Sequence, residues 1–258
     1  MGIIVLGAGG KLGRLLQPII SDDAVWLDRA GLDICDGEAL RNALRGAGCV
    51  ICMAGVTQGC SDRLGMNSDL AIRTLDAAQE VGAGRVLLFS SAAVYGNTPG
   101  LLTEDGPTAP LYEYARAKLA MERAAARHAH PNCVLRLGNV AGADAILGGW
   151  HPAFKLDALP DGTTPRRSYI GPHALARTLL DLAAAATLPD ILNVAAPGCV
   201  EMGALLDAAG LAWTPRPATR DTIPTVNLDT TNLQAFTGFK TSEDTPDGIV
   251  SDWQNRLA

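Results

Sequence analysis

Gly2-Ile3-Ile4-Val5-Leu6-Gly7-Ala8-Gly9-Gly10-Lys11-Leu12-Gly13 opens the chain with a short apolar run that breaks directly into a glycine-rich turn. The apolar run predicts a buried strand, and Arg14-Leu15-Leu16-Gln17-Pro18-Ile19-Ile20 predicts an amphipathic helix closing near Ser21-Asp22-Asp23. Glycines at a strand-to-helix turn let backbone pass close to a pyrophosphate, and the helix N-terminus that follows faces an anion. Position 12 is leucine, so the GxGxxG spacing fails, whereas Gly7, Gly10 and Gly13 satisfy GxxGxxG. Gly7, Gly9, Gly10, Lys11, Leu12 and Gly13 are therefore candidate contacts to a dinucleotide.

The next segment bears on the same ligand. Ala24-Val25-Trp26-Leu27 reads as a second strand ending at Asp28, about 20 residues after the first glycine, where an acid is expected on the adenine ribose diol. Asp28 would accept hydrogen bonds from that diol and repel a 2′-phosphate, whereas the adjacent Arg29 can grip such a phosphate with two donors. The two residues point in opposite directions. A strand-end carboxylate is harder to turn away than the side chain after it, so NAD is expected over NADP. Asp36, after the apolar Leu32 and Ile34, is expected near the adenine.

A second constellation lies further on. Ser90-Ser91-Ala92-Ala93-Val94-Tyr95-Gly96 offers hydroxyls at a strand end, and Tyr114-Ala115-Arg116-Ala117-Lys118 places a tyrosine one helical turn before a lysine. Residues four apart share a helix face, so Tyr114 and Lys118 can converge on whatever the strand end presents. A phenol titrates near pH ~10. An ammonium about 4 Å away, at an effective dielectric near 20, stabilises the phenolate by roughly 4 kcal/mol before desolvation. That suffices to make Tyr114 a general acid or base near neutrality, with Ser91 holding the reacting oxygen.

The chain has 258 residues, of which 48% are hydrophobic and 5% aromatic, with a formal net charge of −6. This suits one α/β domain with an appended lobe. The mild negative charge gives no reason to expect nucleic acid or an anionic membrane as a partner. No apolar run approaches the ~20 residues of a membrane helix, and the N-terminus lacks a signal peptide's basic flank and cleavage site. The six cysteines show no framework spacing, which suits free thiols and a cytoplasmic location. In Cys49-Val50-Ile51-Cys52 the odd offset along a strand sends the thiols to opposite faces, so this pair is read as core. No metal site is expected.

Strand-like and helical runs then alternate: strand 49–53, helix 66–81, strand 85–90, helix 112–128 and strand 132–137. Strand 168–170, helix 172–186 and strand 191–195 follow. Such alternation predicts an α/β fold, a doubly wound parallel sheet with helices on both faces, whose strand ends share one ligand-binding edge. Gly7, Asp28, Ala54, Gly55 and Ser91 all fall at such ends. The expected division is a dinucleotide-binding core of 1–142 with 168–196, and a small substrate lobe of 143–167 with 197–258. Thr57 and Gln58 follow a strand end and are candidate substrate contacts. Arg166 and Arg167 are candidates for clamping a carboxylate or phosphate.

Taken together, these residues resemble the extended short-chain dehydrogenases/reductases, in particular the NAD-dependent epimerase/dehydratase family. The likeness also draws on Asn67 in MNSDLAIRTLDAA, Pro110 before Tyr114, and Leu135-Arg136-Leu137-Gly138-Asn139-Val140-Ala141-Gly142. Further matches are Arg167-Ser168-Tyr169-Ile170 with His173-Ala174-Leu175-Ala176, Leu192-Asn193-Val194-Ala195, and Leu228-Asp229-Thr230-Thr231-Asn232-Leu233 with Gly238-Phe239. The resemblance implies Tyr114 as acid/base, Lys118 lowering its pKa while bonding the nicotinamide ribose, Ser91 positioning the reacting oxygen, and Asn67 supporting the site. It places Asn139 beside the nicotinamide and implies hydride transfer at a secondary carbinol carbon of a carbohydrate-like substrate. It also implies a homodimer through helices 66–81 and 112–128.

Departures from the family pattern narrow the reaction. Ala92 and Ala93 stand where the family's dehydratases carry an Asp-Glu pair, and neither can move a proton, which disfavours dehydration. The stretch from Asn139 to Tyr169 is short beside that of nucleotide-sugar epimerases, and Val140-Ala141-Gly142 lacks a tyrosine frequent in that loop. A smaller substrate, or a nucleotide held differently, is expected. The competing expectation is a non-catalytic NAD(P)-binding regulator of the same fold; such binders usually lose the tyrosine or lysine, and both are present here.

Overall fold

The structure, a computed structural model, describes residues 2–20 and 23–255. In chain order its elements are β1 (Gly2–Leu6), α1 (Lys11–Leu16), β2 (Ala24–Leu27), α2 (Gly37–Leu44), β3 (Ala47–Cys52), α3 (Ser61–Val81) and β4 (Arg85–Ser91). Then come β5 (Leu101–Leu102), α4 (Glu113–Ala125), β6 (Asn132–Leu137), β7 (Asn139–Val140), β8 (Lys155–Ala158), β9 (Arg166–Arg167), β10 (Tyr169–Ile170) and α5 (Pro172–Ala184). The remaining elements are β11 (Ile191–Val194), β12 (Val200–Glu201), α6 (Met202–Ala208), β13 (Thr214–Pro217), β14 (Thr225–Leu228) and α7 (Pro246–Gln254).

Helix bounds depart from the periodicity where caps intervene. α1 starts at the glycine turn and stops at Leu16, two residues before Pro18, which has no amide to continue the ladder. The expected closure at Ser21-Asp22 lies outside the described residues. α3 begins five residues earlier than its apolar pattern suggested and ends at Gly82, whose φ of +63° lets its amide reach the Ala78 and Gln79 carbonyls.

Six strands form the central sheet in the order β11-β6-β4-β3-β1-β2. β1 runs parallel to β2 and to β3, and β3 runs parallel to β4. Val50, Ile51, Val86 and Leu87 are fully buried, as a sheet covered on both faces requires. The chain leaves β1 for β2 on one side and then crosses to β3 on the other. The switch point therefore falls between β1 and β3, the place where doubly wound sheets open a ligand crevice. Between β2 and α2 the chain forms turns rather than a further strand, with Leu32 and Ile34 buried in the core. This is the expected α/β doubly wound architecture.

The chain divides into two compact units. The first comprises Met1–Val94, Pro110–Arg136 and Leu179–Leu192; the second comprises Tyr95–Ala109, Leu137–Thr178 and Asn193–Ala258. This boundary differs from the expected 1–142 with 168–196. Residues 95–109 join the second unit because β5 pairs with β14, and residues 137–142 join it because β7 pairs with β10. The helices of the first unit cover a core of Leu6, Leu40, Leu44, Val50, Leu75 and Leu88. The second unit has its own core around Ile146, Leu156, Tyr169, Leu205, Leu206 and Ile249.

Asn193 organises the second unit. Fully buried, it donates from Nδ2 to the Leu102 carbonyl at 2.8 Å and the Asp229 carbonyl at 3.0 Å, and accepts the Tyr95 hydroxyl at 2.7 Å. Its own amide donates to Glu104 Oε1 at 3.0 Å. Asn193→Leu strips the Leu102 and Asp229 carbonyls and the Tyr95 hydroxyl of their side-chain partner and is expected to destabilise by about 2–4 kcal/mol. A urea unfolding midpoint unchanged from wild type would refute that role.

Candidate active site

The glycine turn is shaped by close approach. Gly7 has φ +94°, and a Cβ there would lie 2.7 Å from the Ala54 amide nitrogen, so only glycine fits where β1 passes the end of β3. A Cβ at Gly13 would lie 2.2 Å from the Ala8 carbonyl oxygen, which makes that glycine a packing requirement of α1. Gly10 caps α1 without a side-chain hydrogen bond.

A cavity of about 360 Å³ opens beside this turn. Of the anticipated cofactor residues, Gly7, Gly9, Gly10, Asp28, Arg29, Ala54 and Gly55 line it. Lys11, Leu12 and Gly13 are not in its lining, and neither are Thr57 and Gln58, which are exposed on the loop after β3. Asp36, expected near the adenine, is not in the lining; its Oδ1 accepts the Glu38 and Ala39 amides as the cap of α2, and Asp33, Ile34 and Cys35 beside it make the wall. Met66 and Leu70 of α3 complete the lining and went unnamed in the sequence, although their spacing of four is the signal that would have revealed them.

Asp28 is held with one oxygen spent and one facing the turn. Oδ1 accepts the amides of Ala30 at 3.0 Å and Gly31 at 2.9 Å. Oδ2 lies 4.0 Å from where a Cβ would stand on Gly9. The Asx turn thus fixes the carboxylate against the cavity.

The acid–base residues gather in the same unit. Ser91, at the end of β4, is the neighbour that favours ionisation of the Tyr114 phenol. Its Oγ accepts the Ala93 amide at 3.2 Å. Burial pushes the phenol above its ordinary pKa, Ser91 pulls it down, and Tyr112 adds a small upward push. Lys118 is not among these influences. Its Nζ sits 6.0 Å from the Tyr114 ring centroid and donates to the Phe89 carbonyl at 2.8 Å. The downward pull on the phenol comes here from Ser91. Burial lowers Lys118 itself to about 8, against upward pulls from Cys52 and Glu122.

Asn67 is 1% exposed and has every polar atom engaged. Its Oδ1 accepts the Val56 amide at 3.1 Å, and its Nδ2 donates to the carbonyls of Val56 at 2.9 Å and Leu64 at 2.8 Å. It pins the loop after β3. A Cβ at Gly55 would lie 2.7 Å from Asn67 Oδ1 and 3.2 Å from Lys118 Nζ, so a single residue borders both the cavity and the lysine.

Asn139, Arg166 and Arg167 belong to the second unit. Asn139 donates to the Tyr169 hydroxyl at 3.2 Å, which in turn donates to Asp144 at 2.7 Å. Arg166 donates to the Cys199 carbonyl at 2.9 Å, and Arg167 to the carbonyls of Arg166 at 2.7 Å and Ile223 at 2.9 Å. Cys49 and Cys52 are both buried, as read, and burial pushes the Cys49 thiol up to about 12. Among the described residues no group of three or more His, Cys, Asp or Glu is placed to hold a metal. None of the described helices is long and apolar enough to cross a membrane.

Residues 3–152 match the model of the NAD dependent epimerase/dehydratase family. The chain belongs to this family. No curated protein matches it. Among solved structures, MoeE5 in complex with UDP-glucuronic acid and NAD is 22% identical, with a TM-score of 0.75 and 100% of each chain covered. A short-chain dehydrogenase/reductase superfamily protein from Agrobacterium tumefaciens with bound NAD is 18% identical, covering 100% of this chain and 97% of that one at a TM-score of 0.81. UDP-glucose 4-epimerase from Thermus thermophilus, in complex with NAD, is 20% identical over 98% of this chain and 99% of that one, with a TM-score of 0.74. The shared fold is that of the short-chain dehydrogenases/reductases.

Lys118 titrates near 10.5 when exposed in the unfolded chain and near 8 when folded. Between those values the unfolded chain binds more protons, so this residue makes stability rise with pH, and its burden is complete below pH 8. Relative to Lys118→Met, wild type is expected to gain stability from about pH 8 to about 10.5. Denaturation curves on either side of that window test this, and a constant difference between the proteins would refute it.

Proposed function

We propose that this chain binds NAD and moves hydride at a secondary alcohol or ketone carbon of a sugar, sugar acid or sugar nucleotide. Gly55 carries this reading, because it borders both the glycine-turn cavity and Lys118, which shares its helix with Tyr114. The cavity suits a dinucleotide: its turn excludes side chains, its walls are apolar at Leu32, Ile34 and Met66, and Asp28 keeps an oxygen toward it. Gly7, Gly9, Gly10, Asp28, Ala54 and Gly55 would hold that group, with Lys11, Leu12 and Gly13 shaping the turn. When bound, the nicotinamide supplies the hydride donor or acceptor.

The residues of the chain supply the proton. Tyr114 gives it to, or takes it from, the reacting oxygen, and Ser91 holds that oxygen with its hydroxyl. Ser91 at the strand end favours the ionised phenol, so a substrate oxygen would enter beside both hydroxyls. Lys118 places a cation at the base of the tyrosine, and Asn67 fixes the loop over it. Ala92 and Ala93, which cannot move protons, support epimerisation or net oxidation and reduction rather than dehydration. Retention of Ser91, Tyr114 and Lys118 favours turnover over a purely regulatory binder. A cytoplasmic homodimer through α3 and α4 belongs to the same proposal, with no role for membrane or nucleic acid.

Tyr114→Phe is expected to lower turnover by a factor of about 10² or more while leaving the rise in melting temperature on adding NAD intact. Undiminished turnover would remove Tyr114 from the chemistry. NAD is expected to stabilise wild type more than NADP, and Asp28→Ala to reduce that gap, because the free carboxylate oxygen repels a 2′-phosphate. The reverse ranking in a thermal shift assay would assign the phosphate to Arg29.

A further inference from the structure

The buried charges of the first unit continue beyond Lys118. Glu122, one helical turn further along α4, is 4% exposed, and Arg136 on β6 is equally buried at 4%. Arg136 grips the carboxylate with Nη2 2.8 Å from Oε2 and Nε 3.2 Å from each oxygen. Ser90 on β4 donates its hydroxyl to Oε1 at 2.5 Å. One carboxylate therefore ties a helix to two neighbouring strands.

Its attachment points are informative. Ser90 stands between Phe89, whose carbonyl accepts the Lys118 ammonium, and Ser91, which lowers the pKa of the Tyr114 phenol. On the helix side, Tyr114, Lys118 and Glu122 are spaced by four and share a face. Holding Ser90 and Arg136 to that face fixes the register between the strand end and the tyrosine–lysine pair. A buried ion pair is poor evidence for stability, since well-packed apolar residues commonly serve as well or better. What an apolar pair would not supply is a negative charge one turn from an ammonium that is itself 5% exposed. The groups facing Lys118 are the Cys52 thiol from β3, Asn67 from α3 across Gly55, the Phe89 carbonyl from β4, and Tyr114 and Glu122 on its own helix. Of these described neighbours Glu122 brings the carboxylate, which is itself paired with Arg136.

We propose that Glu122 is a positioning residue: it locks the Tyr114–Lys118 face of α4 to the Phe89–Ser91 strand end and supplies the counter-charge that keeps the buried Lys118 cationic. This rests on the roles given to Tyr114 and Lys118 above. Its atoms touch Ser90 and Arg136, and it acts through Lys118.

The chain has four lysines, Lys11, Lys118, Lys155 and Lys240, so labelling lysine with ¹³C at Cε yields four signals, and Lys118→Arg identifies the relevant one. In the wild type this signal is expected to titrate near 8. In Glu122→Gln its midpoint is expected to fall by about half a pH unit or more, and Glu122→Asp to restore much of it. Because Glu122→Gln leaves Arg136 buried without its partner, the double variant Glu122→Gln/Arg136→Met, which removes both charges, carries the test if the single one does not fold. A folded variant whose Lys118 midpoint matches wild type overturns the proposal. So does failure of both to fold, which would make Glu122 a requirement of the fold alone. Stabilisation of the wild type by NAD is scored separately: its absence would sink the dinucleotide reading while the titration still decides the role of Glu122.

Discussion

The absence of a side chain at Gly7 is the constraint from which the site follows. β1 can turn toward α1 beside the end of β3 only because backbone at φ +94° packs against the Ala54 amide with no room for a Cβ. That contact sits at the point where the sheet order reverses. With β2 to one side and β3 to the other, the chain ends there enclose a cavity instead of filling it. Asp28, Ala54 and Gly55 border the cavity because each follows closely on a strand of this sheet.

A second constraint lies in the charges buried beneath. Lys118, Glu122 and Arg136 alternate in sign from α4 to β6, and each is almost removed from water. The desolvation of any one alone would be prohibitive, and removing a single partner leaves the other charge buried at its full penalty. Lys118 still loses part of its affinity for a proton, because burial outweighs the pull of Cys52 and Glu122. An ammonium poised in this way responds to small changes around it, as groups at chemically active sites commonly do.

The phenol shows how a pairwise estimate from spacing can mislead. Tyr114 and Lys118 share a helix face, as four-residue spacing demands, yet the ammonium is drawn to the Phe89 carbonyl of the neighbouring strand. The neighbour that lowers the phenol's pKa is Ser91. Helical geometry brings two side chains together; the competing acceptors around them decide which bond forms.

Local chemistry made much of this protein legible from its residues. The glycine turn, the apolar strands, the acid at the end of β2 and the serine, tyrosine and lysine are short-range patterns, and they announced the α/β sheet and its switch-point crevice. Asp36 shows the limit: a carboxylate just ahead of a helical run can face a ligand or cap the helix, and only folding showed that it caps. The partition into units likewise required pairings between distant segments, such as β5 with β14. Arg136 reached Glu122 through a helix-to-strand contact that lies beyond local spacing. Sequence by itself thus determined which groups were available at the strand ends, because backbone geometry sets local spacing. Tertiary structure alone decided which partners they took, because burial makes every polar atom compete for the few neighbours within reach.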